Sequence, residues 1–144
     1  MKVESFELDH TKVVAPYIRR AGLYNGPKGD IITKFDLRFM QPNKVFMDIS
    51  GIHTLEHLLA VYLREEEIGE DIIDLSPMGC RTGFYLTVWG EKSESDIKTP
   101  LVSSLKKVLD TKEVPATNEI QCGNYKEHSL DKAIEYAKGF IENI

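Results

Sequence analysis

Two histidines four residues apart, with a glutamate between them, form the segment best equipped for chemistry: His53-Thr54-Leu55-Glu56-His57. On a helix, side chains four apart stand one above the other, so both imidazoles can reach a single ion. At about 100° per residue the pair falls on a flank beside the apolar stripe of Ile52, Leu55 and Leu59, with Glu56 between the pair and that stripe. A carboxylate there is close to the ion yet partly desolvated, which suits it to passing protons. In a chain with four histidines such a match arises by chance with a probability of about one per cent, so a metal site is the better reading. A catalytic ion fits better than a structural one, because structural zinc sites are usually closed and rich in cysteine.

Two imidazoles need at least one further ligand, and Cys80, Cys122, His10 and His128 can each supply one. Cys122 lies in the irregular stretch Gln121-Cys122-Gly123-Asn124, where the glycine permits close approach of the backbone. Cys80 sits in Ser76-Pro77-Met78-Gly79-Cys80-Arg81-Thr82-Gly83, between two strands, and Arg81 beside it is placed to hold a thiolate, the reactive form. Burial is the ordinary fate of a free cysteine, and spacing alone does not say which cysteine binds and which reacts. The remaining candidates have plainer alternatives. Ser5 can cap a turn, His10 reads as a surface residue and Arg38 as a solvated one. Asp74, just before the Ser76-Pro77 turn, is a weaker substrate contact. His128 is expected near the start of the last helix without a catalytic role.

These residues must be positioned by elements that the patterning exposes. Val13 to Tyr24 and Ile31 to Gln41 read as strands around the turn-rich Asn25-Gly26-Pro27-Lys28-Gly29-Asp30. The second alternates Phe35, Leu37 and Phe39 with Lys34, Asp36 and Arg38. Ser50-Gly51 opens a helix running to about Arg64, followed by a solvated Glu65-Glu66-Glu67 loop. Asp71 to Ser76 and Phe84 to Trp89 read as two more strands. Thr99-Pro100 is a helix start with proline at the first position, Asp110 to Tyr125 is irregular, and Ser129 caps a last helix. The expectation is a single α+β domain over residues 1–144, a mainly antiparallel sheet covered by helices on one face.

Composition narrows the class. Of 144 residues, 42% are hydrophobic and 28% charged, ordinary for a globular protein. The net charge of −5 and the scattered basic residues speak against nucleic acid as a partner. No apolar run approaches the roughly 20 residues that cross a bilayer, and the acidic start does not resemble a signal peptide. A cytoplasmic protein is expected, and in a reducing compartment Cys80 and Cys122 are free thiols rather than a disulfide.

Five blocks, in order along the chain, closely resemble those of the S-ribosylhomocysteine lyases, the autoinducer-2 synthases: Val3 to His10, Lys34 to Phe39, His53 to Ala60, Asp74 to Gly83 and Asn118 to Gly123. Only a short Glu-rich loop and an early end to the tail depart from the pattern. The resemblance implies cleavage of the thioether of S-ribosylhomocysteine by carbonyl migration and β-elimination, giving homocysteine and the precursor of a quorum-sensing signal within the activated methyl cycle. It implies one divalent metal per subunit on His53, His57 and Cys122, with Fe(2+) expected and Zn(2+) or Co(2+) as substitutes. It implies Cys80 as catalytic cysteine and Glu56 as second acid/base. It also implies a homodimer with sites at the subunit interface, where Ser5, His10 and Arg38 are supplied by the partner chain. On that basis lesions in Ser5 and His10 should complement a lesion in Cys80 in mixed dimers. Two rival readings remain: a metallopeptidase of the inverted-zincin type, in which the glutamate activates water, and a non-catalytic metal-binding module.

Overall fold

In the computed structural model, which describes residues 2–144, the turn at Asn25 to Asp30 folds the chain into a hairpin. Its strands, β1 (Tyr17–Asn25) and β2 (Ile31–Arg38), are followed by β3 (Ile72–Pro77) and β4 (Gly83–Trp89). Every pairing is antiparallel and the order across the sheet is β1-β2-β4-β3. Period-two alternation divides the sheet into two faces. Phe35 opposes Leu86 and Leu37 opposes Phe84, and all four are buried in the core, each burial contributing roughly 1.5–3 kcal/mol. The opposite face carries a polar row, because Arg19 opposes Asp36, Asp36 opposes Tyr85 and Tyr85 opposes Ser76.

A short N-terminal turn of helix, α1 (Glu4–Glu7), precedes three longer helices: α2 (Ile49–Tyr62), α3 (Glu94–Asp110) and α4 (Leu130–Asn143). Leu55, Leu58 and Leu59 of α2, Ile97, Leu101 and Leu105 of α3, and Ala133, Ala137 and Phe140 of α4 join the sheet's apolar face in one core. The expected α+β class, with the three long helices on one face, is what forms.

The element ends depart from expectation in instructive ways. The helix expected from Thr99-Pro100 begins at Glu94, where Ser93 and Asp96 cap one another reciprocally; Pro100 lies inside it and is buried. The helix expected to open at Ser50-Gly51 begins at Ile49, capped by Asp48. The strands expected from Val13 and to Gln41 are shorter, since regular pairing runs only from Tyr17 to Arg38. The Glu-rich stretch is less solvated than expected, because Glu65 and Glu66 both pair with Lys107, and Glu66 also accepts from Ser103.

Gly51 sets how closely α2 approaches α4. A Cβ there would stand 2.6 Å from the Tyr136 ring and 2.7 Å from Lys132 Cβ. Tyr136 in turn accepts the Asp48 N–H at 2.7 Å, which fixes the first turn of α2 and hence the direction of the histidine-bearing flank.

Candidate metal centre and active site

His53 and His57 project from one flank of α2, ring centroids 4.8 Å apart, onto the stretch 111–129 that links α3 to α4. That stretch has no regular structure, yet it is laced to α2. The Tyr62 and Thr111 hydroxyls meet at 2.8 Å, and the Ser129 N–H reaches Thr54 Oγ1 at 2.8 Å. Between these anchors, His57 Nδ1 donates to the Pro115 carbonyl at 2.9 Å and His53 Nδ1 to the Glu127 carbonyl at 2.8 Å. A carbonyl only accepts, so each Nδ1 carries a proton and the neutral form of each ring offers its lone pair at Nε2. Cys122 Sγ lies 3.4 Å from His53 Nε2, and His128 stacks on His53 at 3.9 Å between centroids. One donor atom from each of His53, His57, Cys122 and His128 falls within 4.8 Å of the others. Burial, then the neighbouring His53 and His57, push the His128 imidazole down to about 4, so it is neutral near pH 7. Two bare imidazole nitrogens converging with a thiol, each imidazole oriented by a backbone carbonyl, fit a single transition-metal ion.

Cys80 belongs to a different cavity, at the end of the sheet where β3 turns into β4. This space of about 510 Å³ is lined by His10, Arg38, Val45, Phe46, Cys80 and Thr82 among others. Cys80 Sγ contacts Thr82 Oγ1 at 3.1 Å, and Thr82 Oγ1 accepts from Arg38 Nη1 at 2.9 Å. Arg38, only 2% exposed, forks onto Asp36 through Nε at 3.0 Å and Nη2 at 2.8 Å. Burial acts to lower the Arg38 pKa, but the Asp36 ion pair outweighs it and the net shift is upward, so the guanidinium is a permanent charge. Burial, then Asp36, push the Tyr17 phenol up to about 12, which keeps it a donor to that carboxylate at 3.0 Å.

The family model described as S-ribosylhomocysteinase (LuxS) matches residues 3–144. The chain belongs to this family. It is 59% identical over 143 residues to an S-ribosylhomocysteine lyase of Clostridium perfringens, covering 99% of this chain and 93% of the relative. It is 54% identical to that of Clostridioides difficile over 98% and 92% of the two chains, and 55% identical to that of Enterococcus faecalis over 95% and 88%.

Against the expectations for this S-ribosylhomocysteinase family member, the structure brings His53, His57 and Cys122 together and adds His128, one of the four candidate further ligands, for which no catalytic role was expected. Glu56 is half-buried beside the centre and lines a small cavity with His57, Pro115 and Ala116. His10 and Arg38 line the same cavity as Cys80 within one chain. Arg38 is buried rather than solvated, because Asp36 offsets its charge. Arg81 does not hold Cys80: its guanidinium reaches the Met47 carbonyl at 3.3 Å and lies over Phe46, leaving Arg38 as the cation on the Cys80 side. Ser5 contacts Tyr85 on the polar face. Asp74 is exposed on β3 and bonded to Ser76, outside the Cys80 cavity. Thr82 and Asp36 were missed; Asp36 and Arg38, two apart on a strand, share a face and were the available signal.

Proposed function

We propose that this chain is an S-ribosylhomocysteine lyase, which splits its substrate into homocysteine and 4,5-dihydroxy-2,3-pentanedione, the autoinducer-2 precursor. The observation that carries the reading is the convergence of His53 Nε2, His57 Nε2 and Cys122 Sγ in a family member whose second cysteine occupies a polar cavity of its own. Homocysteine thiolate can leave only from a carbon next to a carbanion. The sugar carbonyl must therefore move along the chain before β-elimination, and each move needs protons carried between adjacent carbons.

The residues divide that work. His53, His57 and Cys122 hold one divalent ion, ferrous iron in the native enzyme with zinc or cobalt as substitutes. Bound there, the ion supplies Lewis acidity to the sugar oxygens. Cys80 moves protons, with Thr82 fixing its sulfur and Arg38 adding positive potential that favours the thiolate. Glu56, beside the histidines, is the second acid/base. His10 and Arg38 orient the sugar, with Ser5 and Asp74 as outlying substrate contacts. The site is completed in a homodimer, because the Cys80 cavity and the metal cluster share no lining residue. Phe46, 61% exposed at the cavity, and Phe6, 82% exposed on α1, are apolar surface that a second copy would cover. No helix among the described residues is long and apolar enough to cross a membrane, and a cytoplasmic location suits the free thiols.

The test is anaerobic purification, metal analysis and a thiol-release assay with S-ribosylhomocysteine. Release of homocysteine in proportion to bound metal is expected. Peptide hydrolysis without thiol release would replace this reading with the metallopeptidase one, which the cluster disfavours because it contains no carboxylate.

A further inference from the structure

His128 has the wrong proton for a metal ligand. Thr54 Oγ1 is fully buried and has two partners: it accepts the Ser129 N–H at 2.8 Å and lies 3.0 Å from His128 Nδ1. A hydroxyl has one proton to give. If His128 Nδ1 carried a proton, the Thr54 hydroxyl would have to accept twice and bury its own O–H without an acceptor, which is the costly arrangement. The Thr54 O–H therefore donates to Nδ1, and the ring's proton sits on Nε2. That N–H faces Cys122 Sγ at 3.8 Å. His53 and His57 are the opposite case, since backbone carbonyls hold their Nδ1 protons and leave Nε2 bare.

We propose that His128 is a positioning residue that donates an Nε2–H···S hydrogen bond to the metal-bound thiolate of Cys122, and that Thr54 locks it in the tautomer unable to ligate. The four-residue cluster thus resolves into three ligands and one donor, which keeps a coordination position open for substrate. The sulfur is served from two sides: in the metal-free protein its own S–H points to His53 Nε2 at 3.4 Å, and metal binding displaces that proton. The inference rests on His53, His57 and Cys122 being the ligands.

The chain has four histidines, so protein labelled with ¹⁵N at histidine resolves each ring by long-range ¹H–¹⁵N correlation, with and without Zn(2+). The expected result is a protonated Nε2 and a bare, pyridine-like Nδ1 for His128 in both states, while the Nε2 resonances of His53 and His57 move on zinc addition. A protonated Nδ1, or a His128 Nε2 that shifts as a zinc ligand, overturns the proposal. Failure of the underlying ligand assignment shows separately, as His53 and His57 resonances indifferent to zinc. The second measurement is the Co(2+)-loaded His128→Phe variant, which keeps a ring against His53. Its thiolate-to-cobalt charge-transfer band should move to longer wavelength, with d–d bands unchanged and apparent metal affinity lower by about ten- to a hundredfold. An unmoved charge-transfer band, or d–d bands reporting a lost ligand, would refute the donor role.

Discussion

His53 and His57 can serve as ligands because their other nitrogens are occupied: the Glu127 and Pro115 carbonyls set tautomer and ring direction together. Replacing either histidine, or Cys122, with alanine should abolish metal retention and thiol release in parallel, measured by metal analysis beside the assay. The two cysteines should separate by reactivity. Cys80 is exposed and Cys122 buried, so iodoacetamide followed by mass-spectrometric mapping should label Cys80 first in metal-loaded protein. Cys122 should label only after a chelator removes the ion, and the reverse order would exchange their roles. Cys80→Ala should keep its metal yet lose roughly 10²- to 10⁴-fold in turnover. The metal pair was legible in the sequence because a four-residue spacing on a helix is a local fact. Which of the candidate further ligands joins them was not, since the place of His128 depends on the stretch 111–129 folding back onto α2, and nothing within that stretch announces the contact. The burial of Arg38 was not legible, because strand alternation reports which face a side chain takes, while Asp36 and the cover over that face decide whether it is wet.

The elements deliver those side chains through a few close contacts. Gly51→Ala would drive a methyl into Tyr136 and Lys132, and should cost about 1–3 kcal/mol by forcing α2 away from α4. Because the same turn aims His53, metal affinity should fall with the denaturation midpoint; a stable variant with unchanged affinity would contradict this coupling. The cap of α2 adds a pH dependence. The Ser50 hydroxyl, followed by the Ser50 backbone N–H, holds the Asp48 carboxyl below its ordinary 3.8. A depressed folded-state pKa means that its stabilisation is complete above the unfolded value and is lost as pH falls through the folded one. Asp48→Asn keeps a competent cap without a titrating group, so its denaturation midpoint should vary less with pH below about 4. Four strands and three long helices were legible from periodicity, while the ends were not. Ser93 and Asp96 form a cap that outweighs the local appeal of Thr99-Pro100, and a proline deep in α3 is tolerated because it packs into the core.

At the scale of the whole molecule, the centre and the Cys80 cavity belong to different sides of the architecture. Arg38, which lines the cavity, points from the sheet face opposite to Leu37 and the helices, whereas the metal cluster hangs on α2, which covers the Leu37 face. Neither the strand pattern nor the five sequence blocks express this separation, because they record which residues matter and not which side of the sheet each site occupies. If one copy's Cys80 cavity meets the other copy's metal cluster, a dimer of Cys80→Ala with His57→Ala holds one dead site, carrying both lesions, and one intact site. Co-refolding equal amounts makes half of the dimers mixed, each with half its sites working, so about a quarter of wild-type thiol release should return from two inactive parents. Cys80→Ala mixed with His10→Ala should gain nothing over its parents, because both lesions fall in cavities of the same kind and neither mixed site is whole. Recovery in the second pairing and none in the first would place Cys80 with its own chain's metal and detach His10 from it, and a monomer in sedimentation would remove the shared site altogether.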